Sequence, residues 1–319
     1  MSDVGAEPCH VLVVGDLNPD LVLTGDVVPR FGQAEQLLER ATLTIGGSGA
    51  IVAHGLARLG RSVALLAAVG QDTFGDVVLR DLGAAGVDVR PVLRRVDQPT
   101  GLTVVLSAGP DRSVLTHLGA IDTLTAAEVR DAVAALLPRG LRHVHVSSLF
   151  LQPGLAADLP ALLTELRSQG LTTSLDTNDD PSDRWQGVDH LLAHLDVLLP
   201  NRAEVCAIGQ DGDPRRAATT LAGRGPLVVV KDGADGAFAA TADGELLAAA
   251  GEPRDPVDTT GAGDTFDAAF LDAWLDDTPL ADCLHRATLA GTLSVGALGG
   301  TGSQPTRADL NEPGRAHAH

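Results

Sequence analysis

Cysteine is scarce in this 319-residue sequence, and its spacing excludes two common roles. The three cysteines, Cys9, Cys206 and Cys283, lie far apart. An odd number at such distances matches neither a disulfide framework nor a CxxC metal site. Long apolar stretches are also missing, since no run of 18 apolar residues and no basic segment followed by an apolar core occurs. We therefore expect a soluble protein of the reducing cytoplasm with no membrane partner.

Positive charge is also in short supply. Lysine and arginine together number 23 against 42 aspartates and glutamates, which gives a net charge of -19. This sign opposes broad contact with a phosphate backbone, so nucleic acid is excluded as the main partner. Lysine occurs once, at Lys231, and the P-loop pattern GxxxxGK(S/T) is absent. If the protein handles phosphate, backbone amides must carry more of that task.

Apolar runs alternate with helical patterns along most of the chain. HVLVVGD, at 10–16, predicts a buried strand, and similar runs are SVALLAAVG, HVHVSSL, TTSLD, DVLLP and PLVVVKDG. Helical patterns such as AIVAHGLARLG and TFGDVVLRDLGAAG separate most of them. This alternation predicts an α/β fold with a doubly wound, mostly parallel sheet. With 44% hydrophobic residues, the chain can bury one large core, so we expect a single domain over 1–319.

Two segments interrupt the alternation. Short β-prone runs around Gly, Pro and Asp turns occur at about 21–45 and at about 100–118. They predict a small β-sheet that forms a flap, or lid, beside the main sheet.

The stretch DTTGAGDTFDAAF places a glycine-rich turn directly before a helical pattern. Phe266, Phe270 and Trp274 recur at helical spacing, which predicts a helix that begins near Ala262 or Gly263. Free N–H groups at such a helix start can bind an anion that approaches the glycines closely. Alternatively, the glycines supply a turn and the following acid favours the positive helix end.

A second glycine-rich turn, TIGGSGAIVAHG, also precedes a helical pattern. Gly47 and Gly49 fit the start of a dinucleotide fingerprint, although the turn is not the first between a strand and a helix. Gly46, Ser48 and Ala50 fit a nucleophile elbow, but no suitable His and Asp follow in order. The third interpretation is close approach of the backbone to a polar ligand, or plain packing of a helix on a sheet.

Polar residues follow several predicted strands. In PNRAE, Asn201 and Glu204 form a variant capping box, and the functional alternative is a position near phosphate and Mg²⁺. GDLNPD places Asp16, Asn18 and Asp20 after the first strand, where sugar hydroxyls or simple turn chemistry would account for them. LDTNDD occupies the corresponding place after another strand.

The histidines carry no assigned function. His190 and His194 have the i, i+4 spacing of metal ligands but lack the Glu of HExxH and a third ligand. His143 and His145 share one face of a strand, which favours a structural role.

Taken together, these motifs resemble the ribokinase-like (PfkB) carbohydrate kinase family. DTTGAGDTF is similar to its C-terminal signature, GGSGAIVAHGLARLG to its N-terminal signature, NRAE to its NxxE motif and KDGADG to its nucleotide-side glycine turn. The match spans nearly the whole chain, from VVGDLNPD to GGTGSQPT, and the order and spacing fit. It implies an enzyme that uses ATP and Mg²⁺ to phosphorylate a hydroxymethyl group on a keto-sugar, sugar acid, pentose or similar molecule.

The resemblance also implies a role for each matching residue. Asp264 would be the general base that takes the proton of the sugar hydroxyl, and Gly261, Ala262 and Gly263 would form the anion hole. The expected nucleotide-side residues are Asn201, Glu204, Lys231, Gly233, Asp235, Gly236, Gly263 and Thr288, with Glu204 joined to Mg²⁺ through water. The expected acceptor-side residues are Asp16, Asn18, Asp20, Gly46, Gly47, Gly49, Ile51 and Asp264. The region that binds a monovalent cation such as K⁺ in many relatives is matched by Asp258, Thr260, Ala297, Gly299 and Ser303.

One residue departs from the family pattern. Ile51 stands where the family's N-terminal signature usually has an Asn that bonds a substrate hydroxyl. An apolar side chain would leave that hydroxyl without a hydrogen-bond partner, which argues against ribose as the acceptor. LDTNDDP resembles a segment of keto-sugar acid and fructose kinases, which favours those acceptors.

The two β-prone segments match the family's lid, which covers the sugar, and the resemblance implies a possible homodimer through that lid. Closure would exclude water as a competing phosphate acceptor. Three alternatives remain open: a nucleoside kinase of the same family, a dinucleotide-dependent oxidoreductase, and a non-catalytic sugar-binding relative.

Overall fold

The computed structural model describes residues 7–32, 35–108 and 111–311. Its strands are β1 (Val11–Val14), β2 (Asn18–Thr24), β3 (Arg40–Gly46), β4 (Val63–Leu66), β5 (Ala68–Gly70), β6 (Leu93–Arg95), β7 (Leu102–Ala108), β8 (Asp111–His117), β9 (His143–Ser147), β10 (Thr172–Asp176), β11 (Val197–Leu198), β12 (Leu227–Lys231), β13 (Gly236–Ala240) and β14 (Leu246–Ala250). Its α-helices are α1 (Ser48–Arg58), α2 (Thr73–Ala84), α3 (Ala126–Leu136), α4 (Pro153–Ala156), α5 (Leu159–Ser168), α6 (Arg202–Gly209), α7 (Pro214–Ala222), α8 (Ala262–Trp274), α9 (Leu280–Ser294) and α10 (Arg307–Asn311). No helix in these ranges combines the length and hydropathy needed to cross a bilayer.

The main sheet has the strand order β14-β13-β12-β11-β10-β9-β1-β4 within the described ranges. Strands β12 through β4 in this order are parallel, and β13 and β14 add an antiparallel edge. Val13 of β1, the strand next to the β4 edge, pairs with His145 on one side and Leu65 on the other. The prediction of a mostly parallel sheet is confirmed, whereas the antiparallel edge was not foreseen.

Apolar side chains cover both faces of this sheet. Alternate residues of each strand point to opposite faces, so Leu12 and Val14 join one core cluster while Val11 and Val13 join the other. Helices α3, α5 and α7 pack on the first face, and α1, α2, α8 and α9 pack on the second. Helices on both faces make the sheet doubly wound, as the alternation of strands and helices predicts.

A separate sheet is formed by β3, β2, β7 and β8 in that order. Its strands overlap the two β-prone segments, except that β2 already begins at Asn18, so the predicted boundary at about 21 was too late. The run SVALLAAVG also differs from expectation, because it divides into β4 in the main sheet and β5, which pairs with β6 instead.

The histidines of β9 lie inside the main sheet and bond to hydroxyls. His143 Nε2 and His145 Nδ1 lie 2.8 Å and 2.7 Å from Ser174 Oγ, and Ser147 Oγ lies 2.9 Å from His145 Nε2. Burial lowers the pKa of His143 to about 3 and that of His145 to about 4. Neutral, hydrogen-bonded imidazoles inside a sheet fit the structural interpretation.

Helices α1 and α8 approach each other closely at Gly55. A Cβ atom added there would lie 2.8 Å from Ala268 Cβ and 3.1 Å from Gln304 Nε2, so only glycine fits without a shift. Gln304 Nε2 also donates to the Ile51 carbonyl and to Thr265 Oγ1, which joins the two helices. This contact fixes the relative positions of the two glycine-rich turns that precede α1 and α8.

We predict that Gly55→Ala lowers the free energy of unfolding by about 1–3 kcal/mol, because the added methyl overpacks the contact between α1 and α8. Gly83→Ala in α2 is the matched control, since its Cβ would meet only Val89 Cγ2 at 3.6 Å. There the better helix propensity should raise stability by up to about 1 kcal/mol. Urea unfolding followed by circular dichroism measures both, and equal shifts in the two variants would contradict the prediction.

Candidate active site

The start of α8 supplies a turn with free amides. The helix begins at Ala262, as predicted, after Gly261 in the left-handed region at a φ of 71°. A Cβ at Gly261 would lie 2.6 Å from Gly300 Cα, so the turn requires glycine. The Ala262 N–H is engaged with the Thr259 carbonyl at 3.3 Å. Within the described residues the N–H groups of Gly261 and Gly263 donate to no protein acceptor, so both can bind an anion.

Asp264 lies in the first turn of α8 and is almost fully buried. Its Oδ1 accepts a hydrogen bond of 2.5 Å from Ser48 Oγ at the start of α1. Burial raises the pKa of Asp264 to about 7, against the lowering effects of the Ser48 hydrogen bond and the Lys231 charge. The charges of Asp176 and Asp16 add to the increase. A pKa raised towards neutrality suits a group that accepts and releases a proton.

The predicted acceptor-side polar residues do lie together. Asn18 Nδ2 donates to Asp20 Oδ1 at 3.0 Å and to Thr103 Oγ1 of β7 at 3.1 Å. Asp16 Oδ1 accepts from the Gly49 N–H at 3.0 Å. Burial raises the pKa of Asp16, and burial together with the Asp16 charge raises the pKa of Asp20 to about 7.

Glycine is required in the turn that ends β3. A Cβ at Gly46 would lie 1.9 Å from Asp20 Oδ1, and Gly47 has a φ of 88°. Because β3 belongs to the small sheet, this turn does not follow a strand of the main parallel sheet. The dinucleotide interpretation is therefore wrong. Ser48 bonds Asp264 instead of a histidine, so the nucleophile-elbow interpretation is wrong as well.

Ile51 lies beneath the α8 turn. Its side chain is buried, and its methyl groups fill the space where Cβ atoms at Gly261 and Gly300 would stand. The structure thus places Ile51 against the backbone of the glycine-rich turn that precedes α8. Direct contact between Ile51 and an acceptor stays a prediction, and packing is the contact that the structure shows.

On the other side of the turn, Asn201 and Glu204 form the predicted capping box of α6. Asn201 Oδ1 accepts from the Ala203 and Glu204 N–H groups, and Glu204 Oε2 accepts from the Asn201 N–H at 2.8 Å. The structural interpretation of this motif is confirmed. Burial, with the added charge of Asp176, raises the pKa of Glu204 to about 7.

A cavity of about 300 Å³ lies between the α8 turn and the strand β13. Five of the predicted nucleotide-side residues line it: Lys231, Gly233, Gly236, Gly263 and Thr288. The Thr288 hydroxyl is buried without a hydrogen-bond partner among the described residues. An open neighbouring cleft is lined by Asn201 and Asp235. The remaining predicted nucleotide-side residue, Glu204, is not among the residues that line either space.

The predicted monovalent-cation residues are joined by hydrogen bonds. Asp258 Oδ2 accepts from the Gly299 N–H at 2.9 Å, and Oδ1 accepts from the Thr260 N–H and hydroxyl at 2.9 Å and 2.7 Å. Arg112 of β8 donates to Thr260 Oγ1 at 2.9 Å. Ser303 Oγ donates to the Ser294 carbonyl instead, and the hydrogen bonds of Asp258 to the described part of the chain do not include Ala297. Hydrogen bonds thus join Asp258, Thr260 and Gly299 in one loop, and a bound cation remains a prediction.

Sequence reasoning noted Asp176 within LDTNDD but missed its contact with Lys231, and it missed Asp267 altogether. Asp176 at the end of β10 and Asp267 in α8 both bond Lys231 Nζ, at 2.7 Å and 3.0 Å. Oxygens of Asp176, Asp264 and Asp267 lie within 4.8 Å of one another. The available signal was the spacing of Asp264 and Asp267, which places both acids on one helix face.

Comparison with known proteins now decides the family. The chain matches the pfkB family carbohydrate kinase model over residues 9–307. The chain belongs to the PfkB family of carbohydrate kinases. It is a sugar kinase, as the resemblance of its motifs to this family implied.

Named relatives of this PfkB kinase extend over its full length. It is 32% identical to the ATP-dependent ribose-1-phosphate kinase of Halopiger xanaduensis, covering 93% of this chain and 95% of the relative. It is 31% identical to the 2-dehydro-3-deoxygluconokinase of Bacillus subtilis, covering 91% and 94%. A putative ribokinase II from E. coli in complex with ATP and Mg²⁺ has the same fold, with a TM-score of 0.82 at 23% identity over 95% and 97% of the two chains. ATP and Mg²⁺ are consistent with membership of this family.

The raised pKa of Asp264 predicts how its replacement changes stability with pH. Since the folded pKa lies above the ordinary value of 3.8, the carboxyl favours folding when protonated, and this contribution is lost as pH rises through about 7. Asp264→Asn should therefore match the wild type below about pH 4 and become progressively more stable than it up to about pH 8. Urea unfolding from pH 4 to 8 measures the difference. The exposed Asp97→Asn is the control, and a gain of equal size there would refute the assignment.

Proposed function

We propose that this PfkB kinase transfers the γ-phosphoryl group of ATP to a hydroxyl of a small sugar or sugar-like acceptor, with Asp264 as general base. The observation that carries the proposal is the burial of Asp264 at the α8 turn, beside the free N–H groups of Gly261 and Gly263. Asp264 would take the hydroxyl proton as the acceptor oxygen bonds to the γ-phosphorus and the bond to ADP breaks. The amides and the helix end would stabilise charge on the transferring oxygens.

The cavity beside Gly263 supports ATP as the phosphoryl donor. The cavity beside Gly263 has the glycine edges that let phosphate approach the backbone, and the unpaired Thr288 hydroxyl offers a ligand a hydrogen bond. The charge of Glu204 interacts with that of Lys231, which lines the cavity, and we expect Glu204 to hold Mg²⁺ through water. When bound, the ion would neutralise charge on the phosphates. A monovalent cation at Asp258 and Thr260 remains part of the proposal.

The acceptor would lie on the side of Asp16, Asn18 and Asp20, below the small sheet. Two relatives are named for acceptors with an acidic group, ribose 1-phosphate and a dehydro-deoxygluconate. Arg112 of the small sheet reaches Thr260, next to the anion-binding turn, and could meet such a group. These observations favour an acidic sugar over a nucleoside. We propose that the small sheet acts as a lid that excludes water, and that two lids can pair in a homodimer.

Replacing the base should separate chemistry from binding. We expect Asp264→Asn to lower kcat by about 10² to 10⁴ with the KM for ATP little changed, because the general base acts in the transition state. ADP release measures this with the best acceptor from a panel of pentoses, ketohexoses, sugar acids and nucleosides. Asp97→Asn should retain wild-type kcat. An Asp264→Asn variant as active as the wild type would refute the assignment of the base.

Arg112 tests the acceptor class. If its guanidinium holds an acidic group, Arg112→Ala should raise the KM for acidic acceptors about tenfold, since hydrogen bonds to charged groups contribute about 1.5–3 kcal/mol. The KM for ATP should stay near its wild-type value. Arg80→Ala is the control, because Arg80 is exposed on α2 and pairs with its neighbour Asp81. A KM for the acidic acceptor that is unchanged in Arg112→Ala would exclude this contact.

A further inference from the structure

The only lysine of the chain lies inside the site, although the sequence has no P-loop lysine. Lys231 ends β12, and its side chain is only 11% exposed. It passes directly beside the α8 turn, since a Cβ at Gly263 would lie 3.6 Å from both Lys231 Nζ and Cδ. Lys231 also lines the cavity of about 300 Å³ next to that turn. The ammonium is therefore within reach of a phosphoryl group bound at Gly263.

Two carboxylates hold this ammonium. Nζ donates to Asp176 Oδ2 at 2.7 Å and to Asp267 Oδ2 at 3.0 Å, and both acids are fully buried. An ammonium has three N–H donors. Among the described residues these two acids are its recorded partners, so one donor is left for a ligand.

The neighbouring carboxylates keep Lys231 protonated. Burial lowers the pKa of Lys231, but the charges of Asp176 and Asp267 outweigh that effect and raise it. Burial raises the pKa of Asp267 well above its ordinary range, and the Lys231 charge lowers that of Asp176 despite burial. Ionised Asp176 and Lys231 then form an ion pair, and Asp267 keeps a proton. The site thus retains a cation without a large excess of negative charge.

We propose that Lys231 is a catalytic residue that donates its third N–H to the phosphoryl group under transfer, with Asp176 and Asp267 as positioning residues. The inference rests on the proposed kinase function and adds a charged donor to the amides of Gly261 and Gly263. Lys231 keeps all its protons: the acceptor proton goes to Asp264, the acceptor oxygen bonds to phosphorus, and ADP leaves. The ammonium stabilises the charge that builds on the transferring oxygens.

A single lysine allows a test on the unaltered enzyme. Protein labelled with ¹⁵N-lysine should give one side-chain ammonium signal in NMR, since no other lysine exists. We expect this signal to shift when ADP, Mg²⁺ and aluminium fluoride are added with the fastest acceptor of the panel, because aluminium fluoride occupies the place of the transferring phosphoryl group. The complex with ADP and Mg²⁺ alone is the reference. An ammonium signal that is the same in both complexes would overturn the proposal.

Variants give the second test. Lys231→Met alone leaves the Asp176 carboxylate unpaired, so the double variant Asp176→Asn/Lys231→Met removes the ion pair as a unit and keeps the net charge. In this double variant we expect unfolding stability and ADP affinity near those of the wild type. We also expect a kcat lowered by about 10² to 10³, the usual cost of losing one donor to a developing oxyanion. Binding of ADP with aluminium fluoride should weaken by a similar factor.

The outcomes distinguish this inference from the proposed function. A double variant with a kcat within about threefold of the wild type would show that the lysine is only a charge partner, while the kinase assignment would stand. If the wild type releases no ADP with any acceptor of the panel, the proposed function fails and the lysine role fails with it. Asp267→Asn, which keeps the lysine and Asp176, should lose less kcat than the double variant; a greater loss would contradict the order of roles.

Discussion

The packing of α1 against α8 is the contact on which the rest of the site depends. Gly55 allows the two helices to approach so closely that a methyl group at this position would meet Ala268. Because the helices are rigid, their first turns are held at a fixed separation, and Ser48 can bond Asp264 at 2.5 Å. The two glycine-rich turns therefore meet at one carboxyl group. A small shift between the helices would separate Asp264 from its hydrogen-bond donor.

The second constraint is the burial of negative charge. Asp16, Asp20, Asp264 and Asp267 are all buried, and burial raises the pKa of each. A phosphate that entered beside ionised carboxylates would be repelled. Partial protonation and the Lys231 ammonium reduce that repulsion at the cavity wall. Raised carboxyl pKa values are common at catalytic sites because they bring a base close to the working pH.

Side chains of the small sheet bond residues beside both glycine-rich turns. Thr103 of β7 bonds Asn18, and Arg112 of β8 bonds Thr260. Both contacts join residues that are distant in sequence, and both connect the small sheet to turns of the main domain. Movement of this sheet would therefore disturb both of these turns.

Local patterns predicted what is local. The alternation of strands and helices, the start of α8 at Ala262 and the capping box of Asn201 and Glu204 follow from periodicity and from short-range hydrogen bonds, and the structure confirms them. Three features depend on partners from elsewhere in the chain, and the sequence did not indicate them. They are the antiparallel edge, the division of SVALLAAVG into two strands, and the contact of Ile51 with Gly261 and Gly300. By itself, the sequence determined the fold class and the glycine-rich turns that precede α1 and α8, because backbone conformation is encoded within a few residues. Only the tertiary structure decided which charges meet, because Lys231 lies 55 positions from Asp176 and 36 from Asp267, and only folding removes the water that would screen them.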